Sequence, residues 1–377
     1  MITLPEFINQ STWTKVLNFL SNTGELPPYL LMDKEIITAK ASLIGKLVDN
    51  SHAFYAVKAN PDRQLVEILE ACGIGFEVAS EGELDMLMSM GIVPERIITS
   101  NTVKTPRFIE RAFRYGVRYF AFDSDAEIRK LAQYAPSSYV YVRLSVPNEG
   151  SEWPLSKKFG VEIESAYKLL LMARGKGLDP AGITFHVGSQ CTNIDSWDSA
   201  LSKVKLLWDM AASNGFKLKL INIGGGYPIN YTKYVVDIPT IEKRVNRILN
   251  ENFPKDIEIF IEPGRAIVGD AGIFVSTVIG KAERGDENWL YIDLGVFSGL
   301  MESVGGIKYT YIVESNNAVK KWTVAGPTCD SFDVMDRAVE LPEPEVGGRL
   351  IIIAGGAYTT SYASVFNGFS VPKTILI

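Results

Sequence analysis

The stretch AFYAVKANPD (residues 53–62) is an apolar and aromatic run followed directly by Lys58 and then by Pro61. The run at 53–57 is typical of a buried strand, which the proline ends. A lysine here is most simply a surface residue. It is alternatively an amine in a partly dry site, where it loses its proton more easily and can attack a carbonyl to form an imine. This stretch alone leaves both interpretations open.

Short strands alternate with amphipathic helical stretches from residue 53 to about residue 265. The predicted strands are 53–57, 75–79, 96–100, 119–123, 139–144, 182–187, 219–224 and 258–262, and the clearest helices are 81–90, 162–175 and 195–214. Eight strand and helix units in about 215 residues predict an α/β fold, a (β/α)8 barrel, with a doubly wound open sheet as the alternative.

After residue 264 turns replace the helices between strands. Strands at 289–294, 308–313, 322–325 and 349–354 predict a C-terminal antiparallel β domain. A further strand is predicted at 29–33 and is assigned to this domain or to the seam between the barrel and the β domain. The predicted domains are an N-terminal segment, 1–28, packed on the β domain or the seam, the barrel, 29–268, and the β domain, 269–377.

The composition, 377 residues with 46% hydrophobic and 22% charged, is that of a globular protein. A net charge of −6 without a long basic run argues against nucleic acid and anionic membrane as partners. Three widely spaced cysteines and two histidines predict neither a disulfide scaffold nor a metal site. Since no signal peptide or apolar span is recognised, we expect a cytoplasmic protein with a small-molecule partner.

Polar residues follow almost every predicted strand, at the end where a barrel of this kind has its active site. They are Lys58, Glu77, Asn101, Asp123, Arg143, His186, Gly188, Ser189, Gly224, Gly225, Gly226, Glu262, Gly264 and Arg265. Each alone has a structural explanation, such as a helix cap or a core histidine, but their concentration at one end favours a functional site.

Two of these strand ends suggest a phosphate site. INIGGGYP (221–228) provides backbone N–H groups that can surround an anion, although a glycine run by itself is usually a flexible turn. FIEPGRAIV (260–268) adds an arginine fork, and no P-loop motif is present. A lysine, a carboxylate, a histidine and a phosphate cradle are what pyridoxal 5'-phosphate requires.

Seven motifs in order extend this interpretation: FYAVKAN, FEVASEGEL, FHVGSQ, INIGGGYP, EPGR, GPTCDSFD and GAYTTSYASVFNGF. Through them the chain, from about residue 28 to residue 370, resembles the fold-type III pyridoxal phosphate decarboxylases. This is the ornithine decarboxylase group, with relatives that act on lysine, arginine and diaminopimelate and an alanine racemase-like fold.

The resemblance implies that Lys58 binds the cofactor aldehyde, that His186 stacks on the ring and that Glu262 pairs with the pyridine nitrogen. Further cofactor contacts are implied for Glu77, Glu83, Arg143, Ser189, Gly224, Gly225, Gly226, Gly264, Arg265 and Tyr358. It also implies a head-to-tail homodimer with shared active sites, in which Cys329 of the second subunit protonates Cα, Asp330 faces the distal amine of the substrate, and Lys158 pairs with Asp333. Phe366 and Glu302 are further expected substrate contacts.

The implied reaction is decarboxylation of a basic L-amino acid, L-ornithine to putrescine and/or L-lysine to cadaverine, in polyamine biosynthesis. Glu262, where alanine racemases of this fold carry an arginine, argues for decarboxylation over racemisation. Eukaryotic ornithine decarboxylases have a Tyr-Asp pair where this chain has about Gly305 and Gly306. Glu302 or Asp330 is therefore expected to bind the amine, or the substrate is another diamino acid or a larger siderophore or antibiotic intermediate.

Two further hypotheses stay open. Diaminopimelate decarboxylases resemble the chain, but their usual Cys-Glu-Ser pattern is replaced by PTCDS (327–331). A non-catalytic relative resembling antizyme inhibitors would keep the fold without the cofactor, and the retained lysine, histidine, glycine loop and arginine argue against it.

Overall fold

The computed structural model describes residues 4–153 and 158–377. The described part contains a parallel β barrel surrounded by helices and a second, mixed sheet. The barrel strands, first to eighth along the chain, are Ser51–Ala56, Gly75–Glu77, Ile97–Ile98, Tyr119–Phe122, Tyr139–Arg143, Asp179–Thr184, Leu220–Asn222 and Glu258–Ile261. All eight predicted strands are thereby confirmed, and the open doubly wound sheet is wrong.

The barrel closes between its third and fourth strands. The eight strands form one continuous parallel sheet with the third and fourth strands at its two edges. A parallel bridge between Thr99 and Phe120 joins these edges, because the Ala121 N–H donates to the Thr99 carbonyl at 2.8 Å. Six residues from six different strands pack together as a separate buried cluster: Phe54, Ile98, Ala121, Tyr141, Leu220 and Phe260. A packed inner layer of this kind leaves only the ends of the strands for a site.

Ten helices occur in the described residues: Gln10–Asn22, Lys34–Leu43, Arg63–Ala71, Glu81–Ser89, Pro106–Tyr115, Asp125–Tyr134, Ile163–Gly175, Asp195–Ser213, Ile238–Asn252 and Arg265–Val268. Most begin at side-chain caps, as where the Ser80 hydroxyl accepts from the Glu83 N–H and the Asp62 carboxylate accepts from the Gln64 N–H. The three helices predicted from sequence are confirmed to within a residue at each end. No helix among the described residues has the length and apolarity needed to span a membrane.

The second sheet contains strands from both ends of the chain: Tyr29–Met32, Gly272–Arg284, Glu287–Ile292, Thr310–Val313, Val319–Ala325, Val334–Pro342, Arg349–Ile353 and Lys373–Leu376. It is mixed rather than purely antiparallel, because Glu287–Ile292 pairs in parallel with Val319–Ala325 and Tyr29–Met32 pairs in parallel with Lys373–Leu376. Sequence reasoning missed its longest strand, Gly272–Arg284. A small separate two-stranded antiparallel sheet pairs Ser151–Trp153 with Ser189–Cys191.

The strand at the predicted start of the barrel domain belongs to this second sheet. Tyr29–Met32 pairs with Gly272–Arg284, with Tyr29 opposite Val275. The interpretation that attached this strand to the β domain agrees with the pairing, whereas a barrel domain that begins at residue 29 does not include it as a barrel strand. The other domain boundaries stay predictions.

Candidate active site

A cavity of about 320 Å³ opens at the carboxyl ends of the barrel strands. Its lining residues are Lys58, Glu77, Ala79, Ser100, Asn101, Arg143, Trp153, Phe159, His186, Ser189, Glu262, Glu302, Tyr358 and Tyr362. A smaller adjoining cavity is lined in addition by Ala56, Gly226, Tyr227, Gly264 and Arg265. Most of the predicted site residues therefore lie together. Another cavity, near His52, Cys72 and Arg96, contains none of them.

Lys58 lies in a short 3-10 turn, Val57–Ala59, directly after the first barrel strand. Its ammonium is 2.5 Å from Glu77 Oε2, and its side chain is 48% exposed to the cavity while that of Glu77 is 2% exposed. Burial opposes the charged form, but Glu77, Tyr358 and Glu262 raise the pKa of Lys58 above its ordinary value. Lys58 is thus protonated in this arrangement, with Glu77 stabilising the ammonium, and the amine must lose that proton before it can attack a carbonyl.

Glu262, after the eighth barrel strand, is only 9% exposed and is held through one oxygen. Its Oε1 accepts from Asn222 Nδ2 at 2.5 Å and from the Ser100 hydroxyl, which also lies 2.7 Å from the Tyr141 hydroxyl. Burial and the nearby Glu77 raise the pKa of Glu262, whereas Lys58 and these hydrogen bonds lower it. The network fixes the carboxylate beside the cavity, and Oε2 makes no hydrogen bond to the described residues.

His186 carries a neutral imidazole. Its Nδ1 accepts from the Gly188 N–H at 2.9 Å, which assigns the proton to Nε2. Burial, together with the positive charges of Arg143 and Lys58, lowers the pKa of His186 to about 3. A ring that stays neutral at physiological pH is suited to lie against an aromatic cofactor without adding charge.

The glycine loop after the seventh strand approaches its neighbours too closely for side chains. A Cβ on Gly224 would lie 2.4 Å from the Phe185 carbonyl oxygen, and one on Gly225 would lie 2.4 Å from that of Glu262. Gly224 and Gly226 also have φ values of 65° and 100°, in the left-handed region that favours glycine. The loop backbone therefore packs directly against the ends of the neighbouring strands, where side chains would collide.

Arg265 is 3% exposed and forms a two-pronged ion pair with Glu302. Its Nη1 and Nη2 donate to the two Glu302 oxygens at 2.8 and 2.7 Å. Nη1 also donates to the Tyr231 hydroxyl, and Nη2 donates to Ser189 Oγ at 3.1 Å. Despite burial, Tyr231 and Glu302 raise the pKa of Arg265 further. The guanidinium is therefore a fixed, permanent positive charge beside the glycine loop.

These residues fit pyridoxal phosphate. Gly226 of the glycine loop lines the smaller cavity beside Arg265, and the Nε of Arg265 is buried without a hydrogen-bond partner among the described residues, so a donor is left for an anion. A Cβ on Gly264 would lie 3.0 Å from the Tyr358 hydroxyl, which brings a further donor to the same place. Lys58 and Glu262 line both cavities.

Several predicted residues do not line the cavity of this chain. Cys329, Asp330 and Phe366 are exposed, and the Cys329 N–H donates to Asn367 Oδ1 at 2.9 Å. Glu83 accepts instead from the Ala79 N–H at 2.7 Å, at the start of a helix.

Two further predicted contacts involve carboxylates that already accept hydrogen bonds within their own chain. Asp333 is 2% exposed, and its oxygens accept from the Val296 N–H and from Thr328 of its own chain. The pairing of Asp333 with Lys158 of a second subunit therefore stays a prediction for a carboxylate that is already engaged. Glu302 was expected at the substrate amine, but both of its oxygens contact Arg265.

Sequence reasoning missed the residues that support the predicted ones: Ser100, Tyr141, Asn222, Tyr231, Trp153 and Tyr362. Asn222 could have been found, because it is a polar residue inside the otherwise apolar strand before the glycine loop. Tyr231 and Trp153 lie outside the barrel strands and had no comparable signal.

Comparison with known proteins identifies relatives over almost the whole chain. Residues 34–269 match the family model described as pyridoxal-dependent decarboxylase, pyridoxal binding domain. A lysine/ornithine decarboxylase of Selenomonas ruminantium is 34% identical, over 93% of this chain and 89% of the relative. Antizyme inhibitor 2 of Xenopus laevis is 31% identical, over 96% and 84%. The structure of a lysine/ornithine decarboxylase from Vibrio vulnificus complexed with putrescine superposes with a TM-score of 0.89 at 29% identity, over 98% and 99% of the two chains.

Proposed function

The chain belongs to the pyridoxal-dependent decarboxylase family, and on that premise we propose that its substrate is a basic L-amino acid, L-ornithine and/or L-lysine. The reaction releases the α-carboxylate as carbon dioxide, adds a proton at Cα and leaves putrescine or cadaverine. The observation that carries the proposal is the meeting of Lys58, Glu262 and Arg265 at one barrel mouth. The relatives named as lysine/ornithine decarboxylases support the substrate class.

Pyridoxal phosphate, when bound, supplies a ring that withdraws the electron pair left on Cα by the departing carbon dioxide. Lys58 would hold the cofactor aldehyde through its amine, and Glu77, whose carboxylate is 2.5 Å from that amine, would orient it. Oε2 of Glu262 would keep a proton on the ring nitrogen. The neutral imidazole of His186 would lie against the ring and orient it, and Ser189, Tyr358 and the glycine loop would hold the phosphate.

Arg265 holds the phosphate through its free Nε, and Glu302 fixes the direction of that donor. Because both Glu302 oxygens contact the guanidinium, Glu302 positions Arg265 rather than the substrate amine. The pair is buried, so its geometry is not averaged by solvent.

Replacing Glu302 with glutamine is expected to weaken cofactor binding. Loss of one charge-assisted contact should raise the Kd of pyridoxal phosphate roughly 10-fold or more, because the guanidinium loses its fixed orientation. The Kd is measured from the cofactor absorbance, and KM for the amino acid at saturating cofactor should change little. Glu343→Gln, which breaks ion pairs with Lys281 and Lys320 in the second sheet, is the control. A large rise in KM with unchanged cofactor affinity would contradict this role and show that Glu302 binds the substrate amine.

The similarity to an antizyme inhibitor favours a second candidate function, that of a binding protein without cofactor. Purified protein that neither binds pyridoxal phosphate nor gains its absorbance would support that function. The assembled Lys58, His186, Glu262 and Arg265 argue for the enzyme.

The test is carbon dioxide release from L-ornithine, L-lysine, L-arginine, meso-diaminopimelate and 2,4-diaminobutyrate by the cofactor-loaded protein. We expect turnover of ornithine or lysine, with putrescine or cadaverine identified as the product. Cofactor-loaded protein that decarboxylates none of the five would overturn the substrate proposal and direct the search to larger intermediates.

We further infer a head-to-tail homodimer in which each cavity is completed by the other subunit. Apolar residues of the loops around Cys329 and Phe366 are exposed, including Phe332 at 51% and Val365 at 70%. The loop that carries Cys329 and Asp330 does not line its own cavity. A second copy would cover this apolar surface and bring the thiol to a cavity.

Subunit mixing tests the shared site. Lys58→Ala and Cys329→Ala homodimers are each expected to be nearly inactive, because each variant lacks a reacting group in both sites. After unfolding and refolding together, the mixed dimer should regain a substantial part of the activity, since one of its two sites is intact. Refolding each variant alone is the control, and a mixture as inactive as its components would contradict the shared site.

A further inference from the structure

Trp153 occupies the position where a side chain on the loop after Glu302 would project. A Cβ on Gly305 would lie 1.7 Å from Trp153 Cζ3 and 2.5 Å from Cε3, far inside van der Waals contact. The six-membered ring of the indole therefore lies against Gly305, and no larger residue fits at 305 while Trp153 stays there.

The backbone that carries Trp153 is held at two places. Trp153 pairs with Ser189 in the small two-stranded sheet, and Ser189 accepts from Arg265. The neighbouring Glu152 forms an ion pair with Lys233 at 2.8 Å. Trp153 is thus tied to the strand that carries a site residue, and it lines the same cavity as Lys58.

The carboxylates that line the cavity are already engaged. Glu77 is paired with Lys58, Glu262 is held by Asn222 and Ser100, and Glu302 is paired with Arg265. Of these three carboxylates, Glu262 alone keeps an oxygen, Oε2, without a hydrogen bond to the described residues. Because that oxygen is assigned to the ring nitrogen of the cofactor, these three groups leave no carboxylate for the distal end of a substrate.

The aromatic rings that line the cavity differ in whether a cationic side chain already lies over them. Phe159 has Arg143 and Lys158 over its ring at 5.1 Å each, and Tyr358 has Arg265 at 4.9 Å. Trp153 has no cation over it among the described residues, and indole is the aromatic group that binds cations best.

We propose that Trp153 is a specificity-determining residue for the distal end of the substrate, and that its indole, which lines the cavity, receives a cationic end group where residues 305–306 carry no acid. This inference rests on the proposed function and identifies how a basic amino acid is selected at that site. Gly305 is required for this arrangement, because a residue without a side chain leaves room for the indole.

The test compares two amines of equal length on cofactor-loaded protein, cadaverine and n-pentylamine, with each Kd taken from the cofactor absorbance. The wild-type protein should prefer cadaverine. Trp153→Leu should reduce that preference about 10-fold, Trp153→Phe should retain part of it, and kcat/KM for the decarboxylated amino acid should fall in parallel. Trp289→Leu, in the second sheet, is the matched control.

Gly305→Ala tests the coupling between the two residues. Its methyl group displaces the indole, so the cadaverine preference should fall about as far as in Trp153→Leu. Added to Trp153→Leu, the same alanine should have no further effect.

An unchanged preference in Trp153→Leu, equal weakening of both amines, or a harmless Gly305→Ala in the wild-type background would overturn the proposal. If the wild-type protein decarboxylates no basic amino acid, the proposed function fails. The amine preference still decides the role of Trp153 in that case, so the two failures are distinguishable.

Discussion

Lys58→Ala is expected to lower turnover by roughly 1,000-fold or more and to remove the absorbance of the covalently held cofactor. The variant loses the amine that binds the aldehyde and leaves the buried carboxylate of Glu77 without its ion-pair partner. Stopped assays of carbon dioxide release and absorbance spectra of the purified protein measure the two effects.

Lys58→Arg is the matched control for this prediction. Arginine keeps a positive charge beside Glu77, but its guanidinium does not deprotonate in proteins and cannot act as the amine. We expect Lys58→Arg to be as inactive as Lys58→Ala while keeping the thermal stability of the wild-type protein. A Lys58→Arg variant with more than a trace of activity would show that the lysine acts through its charge alone.

Glu262→Gln has the second-largest expected effect, a loss of about 100-fold or more in kcat with KM nearly unchanged. The glutamine oxygen can still accept from Asn222 and Ser100, so the side chain stays in position. Its amide cannot hold a proton on the ring nitrogen, and the ring then withdraws electrons less strongly when carbon dioxide leaves.

Glu242→Gln separates this effect from the general cost of losing a buried carboxylate. Glu242 is fully buried and accepts from the Gly45 and Leu47 N–H groups, away from the cavity. This control should lose stability and keep its kcat. Equal kcat values for Glu262→Gln and the wild-type protein would exclude a role for Glu262 at the reacting ring.

The barrel could be predicted because its signals are local. Each strand is a short apolar run followed by a polar residue, and the residues that end the strands meet at one mouth by topology alone. Lys58 and Glu262 were found in this way, although they are 204 residues apart in sequence by their numbers.

The role of Glu302 could not be predicted in the same way. Its partner, Arg265, lies in another element, and their contact depends on how the second sheet packs on the barrel. Glu302 was therefore assigned to the substrate amine, whereas in the folded chain its carboxylate forms an ion pair with Arg265.

The strand Gly272–Arg284 and the residue Trp153 were missed for different reasons. The strand carried its signal, β-branched residues such as Val275 and Val278, and it lies inside the predicted β domain, but it was left out of the predicted strands. The role proposed for Trp153 depends on its contact with Gly305. No local sequence pattern connects the two residues, so this contact could not be predicted.

The central claim, that the barrel mouth is a pyridoxal phosphate site built on Lys58, is tested most directly by borohydride reduction of the cofactor-loaded protein followed by peptide mass mapping. We predict one phosphopyridoxyl group per chain, on the peptide that carries Lys58. Attachment at another lysine, such as the buried Lys104, or no attachment at all, would contradict the account.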